Sequence, residues 1–232
     1  MIEEILCCPV CGQPLTRQEK ALVCQNRHSF DIARQGHVNL LPVTQKHSKH
    51  PGDTRDMVAA RRAFLDRGYY LPIAEQVGQM LGEKLPEHPK VLDAGCGEGY
   101  YLSQLMERFG QGAFYGVDIS KDAVRYAAGR NKRAMWITAS AAHLPVTEGC
   151  MDGVMSMFAL TVPEEFHRVE KTLEFDFQLS EHEEIMQLLT MTPHLWRISR
   201  EGSQRAAEAT QLKDRAQVLF RLYQSVATSS GL

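Results

Sequence analysis

The spacing of apolar and polar positions changes along the chain, and each change marks a different kind of structure. Residues 1–41 hold only short apolar runs separated by turn residues: Cys8-Pro-Val-Cys-Gly12, Lys20-Ala-Leu-Val-Cys24, Ser29-Phe-Asp-Ile-Ala33 and His37-Val-Asn-Leu-Leu41. Such runs predict small strands around tight knuckles. Residues 42–53 are polar and contain Pro, Gly and the basic run Lys46-His-Ser-Lys-His50, the composition of a linker or loop.

Helical spacing follows. Met57, Ala60, Phe64 and Leu65 share one stripe, with Asp53 as the expected N-cap, and Ile73, Val77, Met80 and Leu81 form a second stripe from about Pro72 to Leu85. From Lys90 short apolar strands take over: Val91–Asp93, Ala113–Asp118, Ala134–Ala139 and Met151–Phe158, with helices over Tyr101–Phe109 and Lys121–Arg130. This alternation predicts an α/β fold with a doubly wound parallel sheet. After Leu160 it stops. Leu173–Leu179 reads as a half-exposed strand, and Glu181–Leu189 and Ser203–Tyr223 read as helices. The expected division is a small module at 1–41, a linker with helices at 42–89, and an α/β domain at 90–232.

Composition agrees with one globular domain plus a small module. Apolar residues make up 44% of 232 and charged residues 23%, which excludes a disordered or coiled-coil chain. No run approaches the ~20 apolar residues of a membrane span. The chain opens Met1-Ile2-Glu3-Glu4, acidic where a secretion signal is basic and then apolar, so a cytoplasmic location is expected. The net charge of −2 does not by itself call for nucleic acid. The charge is uneven, however: Arg17 to Arg62 holds nine Lys/Arg against four Asp/Glu, a local excess suited to phosphate.

Two constellations carry candidate chemistry. Cys8-x2-Cys11, twelve intervening residues, then Cys24-x3-His28 make two chelating pairs, the spacing of a tetrahedral Cys3His structural zinc site. Cys7 competes with Cys8, and the two-residue gap favours Cys8. The second is Asp93-Ala-Gly95-Cys-Gly97-Glu98-Gly99 between a strand and a helix, followed by Asp118 at the end of the next strand. Glycines there let the backbone approach a ligand, and a strand-end acid about 20 residues on suits ribose hydroxyls. The spacing is Gly-x-Gly-x-Gly, not that of dinucleotide loops.

This loop resembles the S-adenosylmethionine loop of class I methyltransferases, which have a Rossmann-like sheet. The resemblance implies Asp93 near the methionine end of the cofactor, Gly95, Gly97, Glu98 and Gly99 along it, Asp118 on the ribose, and Ser140 and Ala141 beside the adenine. The wider order of motifs is more specific. The zinc module, Gly36-His-Val-Asn-Leu-Leu-Pro42, Pro51-Gly-Asp53, Ala60-Arg-Arg-Ala-Phe-Leu65, Gly68-Tyr-Tyr70, the glycine loop, Leu189-Thr-Met-Thr-Pro193 and Trp196-Arg197 together resemble the RlmA-type 23S rRNA (guanine-N1)-methyltransferases. That family implies methyl transfer to N1 of a guanine in a 23S rRNA hairpin, a homodimer whose zinc modules help form an RNA cleft, and Tyr70 in the cofactor site. No catalytic base is assigned.

The chain departs from the family pattern after about residue 160. Met157-Phe-Ala-Leu160 runs directly into Thr161-Val-Pro-Glu-Glu165, where the family has a helix, a Pro-Gly-Gly turn, a fifth strand and another helix. Either the stretch has been lost, or it exists and the written sequence omits it. The unpaired backbone that loss of a central strand would leave favours the second.

Arg61, Arg62 and Arg67, with Lys46 and Lys49, are the candidate RNA-backbone contacts, because guanidinium forks match phosphate. Trp196 is a candidate base-stacking residue or core residue. Tyr100 and Tyr101 are expected to divide between covering the ligand and packing. Two other functions remain open at this point: a small-molecule methyltransferase with a zinc appendage, and a non-catalytic RNA-binding relative.

Overall fold

The computed structural model describes residues 5–46, 48, 51–147, 150–159, 170–191 and 199–221. Lys49, Trp196 and the junction at 160–165 lie outside the described residues.

Strands β1 (Leu15–Gln18), β2 (Ala21–Cys24) and β3 (Ser29–Asp31) form a small antiparallel sheet in that order. The fourth apolar run of the opening segment departs from expectation. β4 (His37–Asn39) leaves the module and pairs in parallel with β7 (Met135–Thr138), His37 opposite Trp136 and Asn39 opposite Thr138. It thereby becomes the edge of the central sheet, where Val38 is fully buried. The module at 1–41 is therefore knitted into the α/β domain.

The central sheet is parallel, with order β4-β7-β6-β5-β8; β5 is Lys90–Ala94, β6 Ala113–Asp118 and β8 Gly153–Met155. Side chains alternate between its faces. One face carries Val91, Phe114 and Trp136 against helices α2 (Leu71–Gly82), α3 (Tyr100–Phe109) and α4 (Lys121–Arg130). The other carries Leu92, Tyr115, Val117 and Ile137 against Leu6, Leu15 and Leu22 of the N-terminal module. The zinc-type module is thus a layer of the fold, covering a sheet face.

Helix α1 (Arg55–Asp66) starts one residue later than expected. Its N-cap is Thr54, whose hydroxyl accepts from the Met57 amide at 3.4 Å. Asp53 faces elsewhere, as described below. Helix α2 stops at Gly82, short of Leu85, and β8 is only three residues long within Met151–Phe158. α1 packs against α5 (His182–Met191) through a cluster of Phe64, Leu65, Ile185 and Met191.

The expected helix at Ser203–Tyr223 is corrected. Helix α6 ends at Glu208, and Leu212–Arg221 is strand β10, paired antiparallel along its length with β9 (Glu170–Leu179). Ala, Gln, Leu and Arg favour helix locally, but ten pairs of cross-strand partners override that preference. This hairpin is a separate sheet, and among the described residues nothing pairs with the outer edge of β8.

Candidate metal and cofactor sites

Two knuckles build the metal cluster. In the first, the Gly12 amide donates to the Cys8 carbonyl at 2.8 Å, with Gly12 at φ +72°. In the second, the Arg27 amide donates to the Cys24 carbonyl at 2.9 Å. Together they bring the donor atoms of Cys8, Cys11, Cys24 and His28 within 4.8 Å of one another. Cys11 Sγ lies 3.7 Å from Cys24 Sγ, and His28 Nδ1 lies 3.5 and 3.4 Å from the sulfurs of Cys8 and Cys24. A zinc tetrahedron with Zn–S near 2.3 Å and Zn–N near 2.0–2.1 Å has edges of about 3.8 and 3.5 Å. The donor set therefore fits zinc in both chemistry and size. Burial pushes the Cys8 thiol up, whereas the Gln13 amide draws Cys11 down to about 6. Cys7 turns away, its sulfur 3.5 Å from Thr147 Oγ1.

The glycine loop lies at the carboxyl end of β5, beside β6. The Gly95 and Cys96 amides both donate to the Val117 carbonyl, at 2.8 and 3.0 Å, and the Gly97 amide donates to Asp118 Oδ2 at 2.9 Å. Ser120 N donates to the other oxygen of Asp118 at 2.8 Å. Gly99 sits at φ +79°, and a Cβ there would stand 2.5 Å from the Trp136 ring, so only glycine can end the loop and begin α3 at this distance.

Three carboxyl groups surround this loop. Asp93 and Glu98 are each 1% exposed, and among the described residues Asp93 Oδ1 and Glu98 Oε2 have no hydrogen-bond partner. Burial raises the Asp93 carboxyl well above its usual range, with Asp118 and then Glu98 adding to the effect. Glu98 and Asp118 are raised too, chiefly by burial. Such a site repels phosphate and suits a ligand that brings positive charge and hydroxyl donors. The ammonium and ribose hydroxyls of S-adenosylmethionine meet that requirement.

Aromatic rings stand beside the loop. Phe158, 67% exposed and at φ +55°, has its ring 6.1 Å from Tyr70 and 5.9 Å from Tyr101. The next residue, Ala159, closes on the loop: a Cβ on Gly95 would stand 2.5 Å from that of Ala159. Tyr100 instead packs in the interior, beneath the Arg130 guanidinium. Ser140 and Ala141 follow β7; the Ser140 hydroxyl accepts from the Ala142 amide at 3.2 Å.

The four described basic candidates, Arg61, Arg62, Arg67 and Lys46, differ in their surroundings. Arg61 turns inward, pairing with the Asp53 carboxylate and donating to the Met191 carbonyl at 3.0 Å; its guanidinium offsets the charges of Asp118 and Glu98. Arg67 pairs with Glu184, which also receives the Tyr69 hydroxyl. Arg62 lies on the α1 surface, 3.4 Å from Asp66, and Lys46 is half-buried in the loop before α1. Asp53, read from sequence only as a cap, belongs to this site. Its carbonyl accepts from Ser120 Oγ at 2.8 Å, and Gly52, at φ +81°, lies against Ile119 and Ser120. The Pro51-Gly-Asp53 motif was the available signal.

Known proteins resemble both parts of the chain that carry these sites. Residues 6–49 match the family model of the RlmA N-terminal zinc ribbon, and residues 91–174 match a methyltransferase domain. A 23S rRNA (guanine(748)-N(1))-methyltransferase of Streptomyces fradiae is 38% identical over 172 residues, covering 70% of this chain and 58% of that protein. A protein of Micromonospora griseorubida, provisionally described as a 23S rRNA (guanine-N(1)-)-methyltransferase, is 36% identical, covering 70% of this chain and 60% of its own. One from Bacillus subtilis with the same provisional description is 31% identical, covering 71% and 60%. Likeness to solved structures is looser: DesVI of Streptomyces venezuelae superposes with a TM-score of 0.37 at 22% identity, covering 61% of this chain and 52% of that one.

The chain is thus a methyltransferase-fold protein fused to a zinc ribbon. More particularly, its residues 6–49 are similar to the RlmA N-terminal zinc ribbon, and the chain spans only about 60% of the length of the curated relatives it matches.

Proposed function

We propose that this chain methylates N1 of a guanine in 23S rRNA, with S-adenosylmethionine as methyl donor and zinc as a structural ion. The relatives' descriptions supply the target. The observation that carries the cofactor half is a pair of buried carboxylate oxygens, on Asp93 and Glu98, that have no partner among the described residues and lie beside a glycine loop.

When bound, S-adenosylmethionine supplies a methyl group already activated by a sulfonium. The rest falls to the protein. Asp93 accepts from the cofactor's ammonium, and Gly95, Gly97 and Gly99 keep the loop open to close approach. Asp118 holds the ribose while staying bonded to the Gly97 amide. Ser140 and Ala141 border the adenine. Tyr70, Tyr101 and Phe158 form an aromatic wall that would exclude water and stack the guanine beside the cofactor. Cys8, Cys11, Cys24 and His28 hold the zinc. Arg62, Lys46 and Lys49 contact RNA phosphates; the inward turn of Arg61 and the Glu184 pairing of Arg67 favour positioning roles for those two. The protein acts as a homodimer in the cytoplasm, where its substrate is made.

The test is transfer of labelled methyl from S-adenosylmethionine to 23S rRNA, with 16S rRNA and free guanosine as controls. Label in 23S rRNA alone supports the reading. Label in free guanosine favours a small-molecule enzyme. A second reading, an RNA-binding relative without turnover, is favoured by the unpaired outer edge of β8 among the described residues. Tight cofactor and RNA binding with no transfer would establish it.

A further inference from the structure

A groove of roughly 570 Å³ lies between α1 and α4. Its lining includes Arg55 and Arg62 from α1, and Arg125, Tyr126 and Arg130 from α4. One acidic residue, Asp122, lines it too. Four arginines against one aspartate is a sharp local reversal in a chain of net charge −2.

The arginines differ in how they are engaged. Arg130 is fixed: Nη1 pairs with Asp66 at 2.7 Å and Nε donates to the Glu98 carbonyl at 3.2 Å, while its buried Nη2 has no partner among the described residues. Arg62 lies over the Tyr126 ring, 5.6 Å from its centroid, and shares Asp66. Arg55 and Arg125 are exposed and make no ion pair among the described residues. The positive field reaches inward as well: Arg125 and Lys132 help depress the half-buried His37, whose burial is the larger cause. A set of fixed guanidinium forks, a ring and two unpaired arginines is the equipment for phosphates.

Position adds a direction. Arg62 faces the groove while its neighbour Arg61 faces the glycine loop, and Arg130 joins the groove wall to the loop's own backbone at Glu98. A polyanion seated here runs alongside the loop that holds the cofactor.

We propose that the α1–α4 groove binds the phosphodiester backbone of the RNA substrate, with Arg55 and Arg125 as its free phosphate contacts. The proposal rests on the RNA reading of the function. It moves the main backbone contact away from Arg61 and Arg67, toward residues of α4.

The test is binding of a fluorescently labelled 23S rRNA transcript to the full chain, measured across salt concentrations. R55E/R125E should bind about 10- to 100-fold more weakly, and its log affinity should fall less steeply with log salt, by about one to two units. Its affinity for S-adenosylhomocysteine and its melting temperature should not change. R55Q/R125Q, which adds no charge repulsion, should show the same loss at smaller size. Guanosine monophosphate should compete at least about 100-fold less well than the transcript, because one phosphate engages only part of the groove. Variants that bind the transcript within about twofold of wild type, with the wild-type salt slope, would overturn the groove assignment and leave the RNA function standing. A wild-type chain that binds S-adenosylhomocysteine but no transcript would overturn both.

Discussion

The Gly97 amide and the Asp118 carboxylate meet at 2.9 Å, tying the turn after β5 to the end of β6. The bond holds the glycine loop against the adjacent strand before any cofactor arrives, and it aims the acid expected at the ribose. Asp118→Ala removes the acceptor of both the Gly97 and Ser120 amides. We expect affinity for S-adenosylhomocysteine to fall about 10- to 100-fold, from hydrogen bonds worth roughly 1–3 kcal/mol. Calorimetric titration checks this, and an unchanged affinity would remove Asp118 from the site.

Asp93 should reveal a conflict between stability and binding. Burial holds its carboxyl well above the usual range, so the folded free protein retains protons that the unfolded chain has released. Stability should therefore decline as pH rises from about 4 toward the raised value, the window in which the unfolded chain has released a proton that the folded protein keeps. Asp93→Asn removes the titrating group at constant shape. We expect the free protein to melt higher at neutral pH, its stability to vary less with pH, and S-adenosylhomocysteine to bind at least about 10-fold more weakly. Melting curves with and without ligand at several pH values decide it.

Gly99 allows no side chain. A Cβ would stand 2.5 Å from the Trp136 ring, and the backbone is left-handed. Gly99→Ala should cost about 2–4 kcal/mol in urea unfolding. A loss under about 0.5 kcal/mol would mean that Trp136 yields readily.

Removing the metal should damage more than the module. Leu6, Leu15 and Leu22 pack against Leu92, Val117 and Ile137 of the central sheet, so an unfolded ribbon bares a sheet face. Chelation, or Cys24→Ser, should lower the melting temperature of the whole chain and expose dye-binding apolar surface, each lost leucine contact counting for about 1.5–3 kcal/mol. Elemental analysis should give one zinc per chain. A chain that melts unchanged after metal removal would make the ribbon an independent appendage.

Much of this was legible in the sequence, because the signals were local. The two Cys knuckles close within a few residues, and strand–glycine loop–strand–Asp118 is a contiguous pattern. What was not legible depends on partners far along the chain. His37–Asn39 reads as another strand of the small module, but its partner is β7, about a hundred residues on. Leu212–Arg221 has the residues of a helix and becomes a strand only because Glu170–Leu179 pairs with it. Arg61 and Arg67 looked like surface charge because their acidic partners, Asp53 and Glu184, come from a turn and from a distant helix.

The most direct measurement is nucleoside mass spectrometry of unmodified 23S rRNA after incubation with the chain and S-adenosylmethionine. The account predicts 1-methylguanosine at one site, absent when the cofactor is withheld and strongly reduced by Asp118→Ala. Methyl groups on another nucleoside, or none at all from a chain that binds both cofactor and RNA, would contradict it.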